Sequence, residues 1–171
     1  LECVGDGLVE LNFLEATVLH SNLGGLGPDR DEEHSLVIGN VGRLGNDETI
    51  NLVVTATGKY TGWKPDQNNG LNGQYAMISL MVGTSSEFKF AFVSATTGSP
   101  VVLDQLEFSF LDVDQSVKSA TEVWQEVLRV GKYTSYNVPS TTELHISTEE
   151  ADGRTMFRST VEGYKTDNPS D

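Results

Sequence analysis

Short stretches of alternating apolar and polar residues, bounded by glycine and Asn/Asp clusters, recur along most of this chain. That is the pattern of half-buried β-strands. The clearest stretch carries Phe88, Phe90 and Phe92 with Lys89 and Ala91 between them, and a second carries Leu106, Phe108 and Phe110 among Gln105, Glu107 and Ser109. Each sets an aromatic face against a polar one, so one side is expected to cover a core. The same pattern predicts strands over residues 13–20, 35–41, 50–57, 75–82, 123–130, 132–138, 143–147 and 155–161. About ten strands at intervals of ~8–15 residues predict an all-β fold, a two-sheet antiparallel sandwich or jelly roll. Helical signal is confined to residues 116–127, where β-branched side chains oppose it.

A length of 171 residues fits one domain, expected over residues 1–165, with 166–171 as a tail or linker. A chain of that length buries roughly two thirds of its unfolded surface and needs no staple. The single cysteine, Cys3, has no partner for an intrachain disulfide, which leaves an interchain bond or a free thiol. No apolar run reaches the ~18–20 residues of a membrane span. No signal-peptide pattern follows Leu1, and the missing initiator Met points to a segment removed ahead of it. The only Asn-x-Ser sequence, at Asn168, is spoiled by Pro169.

Charge narrows the partners. Asp and Glu number 25 against 11 Lys and Arg, a net charge of −14. Such a field repels phosphate backbones and anionic lipid, so it disfavours nucleic acid and membrane surfaces while attracting cations. Protein partners or self-assembly stay open.

Three connections exceed what a hairpin requires, over residues 21–34, 58–73 and 111–121, and function is expected to gather there. In the sequence FSFLDVD an aromatic stretch ends in Asp112 and Asp114, which share one side of an extended chain. Calcium takes six to eight oxygens, and a D-x-D at a strand end supplies two or three. Glu122 would close the far side of that loop, with Asp104 in reserve. In SNLGGLGPDRDEE the glycines allow tight turns, Asp29 and Asp31 repeat the D-x-D spacing, and the acidic run repels phosphate. Asp29 is therefore a further candidate metal ligand, on a second loop or on the same ion. A solvated turn remains the simpler account of both.

The third connection combines Tyr60, Trp63 and Tyr75 with Asn68, Asn69 and Asn72. Aromatic faces stack on sugars while amides take hydroxyls, so a carbohydrate platform is one reading. A protein interface and plain core packing are the others. Catalytic constellations are poor: His20, His34 and His145 lack ligand spacing, no G-x-S-x-G occurs, and adjacent Glu149 and Glu150 cannot flank one bond.

The segments LHSNLGGLGPD, IGNVG, INLVVTATGKYT, NGLNGQYAMISL and FSFLDVD, with DNPSD near the end, together resemble an uncharacterised domain of predicted secreted or surface proteins of microalgae, of dinoflagellate and haptophyte type. The resemblance runs from about Leu19 to Asp114 and implies a β-rich domain with acidic loops, without an assigned reaction. Many members carry a cysteine-rich insertion that this chain lacks. The leading expectation is a non-enzymatic structural or adhesive domain of an extracellular, surface or lumenal assembly, with calcium as cofactor. A lectin-like carbohydrate-binding module and an extrinsic subunit docked on a larger complex, such as a photosystem in the thylakoid lumen, are the alternatives.

Overall fold

The computed structural model describes residues 11–119, 121–149 and 151–163. Cys3, Glu150 and the 166–171 tail lie outside them. The fold is all-β: twelve strands are found among the described residues, and every strand pair is antiparallel. The chain divides into two compact units, meeting in sequence at Leu106 and Glu107.

Unit 1 holds a five-stranded sheet ordered β1-β2-β3-β6-β7. Its strands are β1 (Thr17–Ser21), β2 (Ser35–Arg43), β3 (Thr49–Ala56), β6 (Phe88–Ser94) and β7 (Pro100–Val101). The hairpin β4 (Gly70–Asn72) and β5 (Tyr75–Met77) and a single helical turn, α1 (Pro65–Asn68), lie in the connection between β3 and β6.

Period-two alternation explains the core. Leu36 and Ile38 on β2 pair with Val54 and Leu52 on β3, and these pair with Phe90 and Phe92 on β6. All of them point to one face, which Leu23, Val41 and Tyr60 join in a continuous core with Leu71, Ile78 and Leu103 packed against it. The layer over that face is thus built from loops and the short hairpin. A bulge in β2 between Ile38 and Gly42, with Asn40 at φ 58°, lets Val41 turn inward as well.

Unit 2 carries the sheet β10-β12-β11, from β10 (Val127–Val130), β12 (Thr155–Ser159) and β11 (Leu144–Thr148), and the hairpin of β8 (Gln115–Ser119) with β9 (Glu122–Gln125). Its core is small. Leu128, Phe157 and Ile146 stand opposite one another, and Tyr136 meets the buried Phe157 ring edge-on at 5.1 Å.

Three predicted elements need correction. Residues 105–114 are not a strand, because extended alternation does not by itself supply a ladder partner; Phe108 and Phe110 pack on each other at 5.0 Å and stay 41% and 44% exposed. Residues 132–138 form no strand either; here Tyr136 packs edge-on against Phe157 and Tyr133 against Tyr136. The helical turn expected within residues 116–127 is not found: Gln115–Ser119 and Glu122–Gln125 pair as the β8–β9 hairpin, as their β-branched content favours.

Candidate functional site

Asp112 and Asp114 lead into β8. Asp112 adopts φ 60°, the left-handed region, so the expected same-side projection from an extended chain does not apply. A different carboxylate joins them. β9 and β10 are interrupted at Glu126, whose N–H donates to the Asp114 carbonyl at 3.0 Å while its carboxylate accepts from the Asp114 backbone. The buried Ser159 locks the interruption: its Oγ donates to the Glu126 carbonyl at 3.2 Å, and its N–H reaches the same oxygen at 3.1 Å.

The Glu126 carboxyl is pushed up to about 7, first by partial desolvation and then by the like charges of Asp114 and Asp112. The residue still keeps a solvent-exposed surface, so screening trims what that shift contributes to stability. The sign is nonetheless set. Between about 4.5 and about 7 the folded chain holds a proton on Glu126 that the unfolded chain has released, so this group's contribution falls as pH rises through that window. Wild type is expected to lose unit 2 stability from pH 5 to 7.5 more steeply than Glu126→Gln does, which melting curves at several pH values measure.

Asp114 is further fixed by Gly163. A Cβ on that glycine would fall 1.6 Å from Asp114 Oδ2, so only glycine lets the carboxylate lie there. Glu122, the predicted third ligand, instead pairs with Lys118 at 3.4 Å across the hairpin. Glu126 replaces it in the cluster, a residue missed because nothing in the local sequence brings it to Asp114. Its one signal is a carboxylate in the middle of the strand predicted over residues 123–130. Asp104 is exposed, in unit 1. Among the described residues no group of three or more His, Cys, Asp or Glu side chains is placed to hold a metal ion, Asp112, Asp114 and Glu126 included.

Asp29 belongs to the 21–34 loop of unit 1, where its Oδ2 accepts the Ser21 N–H at 2.7 Å. Asn22 is fully buried beneath that loop, donating through Nδ2 to the Glu32 carbonyl at 2.9 Å. His20, which spacing did not single out, stands at the loop's root, with Asp29 and Glu32 beside its Nδ1.

The aromatic connection is split by burial. Tyr60 is a core residue: its hydroxyl donates to the Ser79 carbonyl at 2.6 Å and lies 3.0 Å from Oδ1 of the buried Asn69. Neither side chain offers a face for stacking. Trp63 is 51% exposed with the Lys64 ammonium 4.7 Å from its ring, and Asn68 donates to the Trp63 carbonyl. Asn72 and Tyr75 are cross-strand neighbours at the β4–β5 turn. Tyr60→Phe is expected to destabilise unit 1 by about 1–3 kcal/mol by taking the donor from the Ser79 carbonyl, while Asn69 Oδ1 keeps the Ser79 N–H, whereas Trp63→Ala should stay within about 0.5 kcal/mol; urea unfolding of both variants measures the contrast.

No family model, curated protein or solved structure matches the chain.

Proposed function

We propose that this chain is a non-enzymatic structural or adhesive module of an extracellular, surface or lumenal assembly, an antiparallel sandwich or jelly roll stabilised by calcium. The ion would be held at Asp112, Asp114 and Glu126. The observation that carries this reading is the Glu126 carboxyl, pushed up to about 7 by partial burial and, after that, by the charges of Asp114 and Asp112. Calcium relieves that repulsion, and it prefers several hard oxygens in flexible geometry. The net charge of −14 concentrates cations around the protein in the same sense. The one-sided apolar face of the five-stranded sheet supports the sandwich, and the resemblance to secreted microalgal domains supports the extracellular setting.

Anything that binds the folded state alone stabilises it, by about 2.7 kcal/mol at a hundredfold excess over Kd. A domain of 60–100 residues shifts its melting temperature by about 4–8 °C per kcal/mol. Adding calcium to chelator-treated protein should therefore raise the melting of unit 2 by several degrees, and Asp112→Asn with Asp114→Asn should abolish the rise. Gly163→Ala should blunt it by displacing the Asp114 carboxylate. Identical melting curves in calcium and in excess chelator would sink the proposal.

A further inference from the structure

We propose that unit 1 carries a site of spontaneous modification. The side-chain amide of Asn72, at the tip of the β4–β5 hairpin, is attacked by the Gly73 backbone nitrogen and becomes isoaspartate, while the nearby Asn69–Gly70 step is held inert. Neither step belongs to the calcium cluster of unit 2, so the inference stands apart from that reading.

A backbone nitrogen reaches a preceding asparagine amide most readily when it belongs to glycine, which has no Cβ in the way. The chain has two such steps, Asn69–Gly70 and Asn72–Gly73, and folding sets them apart. Asn69 is 8% exposed, and its Oδ1 accepts the Ser79 N–H at 3.0 Å and the Ser79 hydroxyl at 3.3 Å. Its amide cannot turn toward the Gly70 nitrogen without breaking both bonds and stranding buried polar atoms. Asn72 is exposed, and its side chain makes no hydrogen bond among the described residues. Gly73, at φ 55°, is the first of the two turn residues that join Asn72 to Tyr75. Only three residue pairs hold this hairpin: Gly70 with Met77, Leu71 with Ala76 and Asn72 with Tyr75. A two-stranded ribbon so short opens locally, which frees the Asn72–Gly73 backbone to bend into a ring.

The reaction balances with water alone. The Gly73 nitrogen gives up its proton and bonds to Cγ of Asn72, the Cγ–Nδ2 bond breaks, and ammonia departs from a succinimide. Water then opens the ring. Cleavage at the side-chain carbonyl leaves aspartate, and cleavage at the main-chain carbonyl leaves isoaspartate, whose backbone runs through Cβ and Cγ. Isoaspartate thus adds one atom to a hairpin whose turn sets its register, so Asn72 and Tyr75 lose their pairing. Either product adds a negative charge to the net −14.

Incubating the full folded chain at pH 8 and mapping its peptides by fragmentation mass spectrometry tests this. Asn72 should convert roughly tenfold or more faster than Asn69, where two hydrogen bonds must break first. Isoaspartate should be the main product. In urea both steps are plain Asn-Gly in an unfolded chain, and their rates should converge. Gly73→Asn tolerates positive φ yet sets a side chain beside the attacking nitrogen, so it should slow Asn72 severalfold. Equal rates at Asn69 and Asn72 in the folded chain would overturn the proposal. So would an Asn72 that reacts in urea and not in the folded protein, aspartate formed without isoaspartate, or unslowed conversion in Gly73→Asn.

Discussion

Leu52→Ala is expected to destabilise unit 1 by about 2–5 kcal/mol, the range for emptying a leucine site in a packed core. Leu52 sits on the central strand β3, 1% exposed, between Ile38 of β2 and Phe92 of β6. Neighbours tied into two ladders have little freedom to collapse into the space, which favours the upper part of that range. Typical stabilities are about 5–15 kcal/mol, so the loss would remove a large share of the total. Val53, one residue along, points to the opposite and only half-buried face. Val53→Ala should therefore cost less than about 1.5 kcal/mol. Urea unfolding of the two variants compares them, and equal losses would contradict one-sided burial of the sheet.

Gly27→Ala is expected to be nearly as damaging by the opposite route, overfilling. A Cβ there would lie 1.9 Å from the Ser21 carbonyl oxygen and 2.7 Å from Asn22 Cα. These are backbone atoms and cannot step aside as a flexible side chain would. Three hydrogen bonds tie the same stretch together: Gly27 N–H to Asn22 Oδ1 at 3.3 Å, Asp29 N–H to the Ser21 carbonyl at 3.3 Å, and Ser21 N–H to Asp29 Oδ2. Relief requires the whole 21–34 loop to shift, at about 3 kcal/mol or more. Hydrogen exchange at Ser21, Gly27 and Asp29 should rise together. Gly45→Ala, where an added Cβ meets nothing within 4 Å, should leave exchange and stability unchanged. Unaltered protection of the loop in Gly27→Ala would contradict this packing.

The sheet of unit 1 was legible because its strands carry the signal that burial imposes. Leu36 and Ile38, Leu52 and Val54, and Phe90 and Phe92 alternate with residues that face outward. Alternation reports an extended chain, however, and not a partner. Phe108 and Phe110 show the same pattern as Phe88 and Phe90, yet only the second pair enters a ladder. Tyr60 looked like a binding aromatic because composition does not reveal depth. Its burial rests on contacts far away in sequence, such as Gly24, where a Cβ would meet the Tyr60 ring at 2.7 Å. In the candidate sites the D-x-D of Asp112 and Asp114 was visible, and Asp29 with it. Glu126 and His20 were not, because each meets its acidic neighbours through tertiary folding: Glu126 across the β8–β9 hairpin, His20 across the glycine-rich loop.

The central claim is that the carboxylate cluster of unit 2 is a calcium site, and the titration of Glu126 tests it most directly. Carbon-detected resonance of the Glu126 side-chain carboxyl should show a midpoint of about 7 in calcium-free protein. With calcium bound, a divalent charge beside the carboxylate favours its ionised form, and the midpoint should fall into the ordinary glutamate range near 4.3 or below. Binding at pH 7 should accordingly release protons. A Glu126 titration that starts near 7 and does not move when calcium is added would contradict the account.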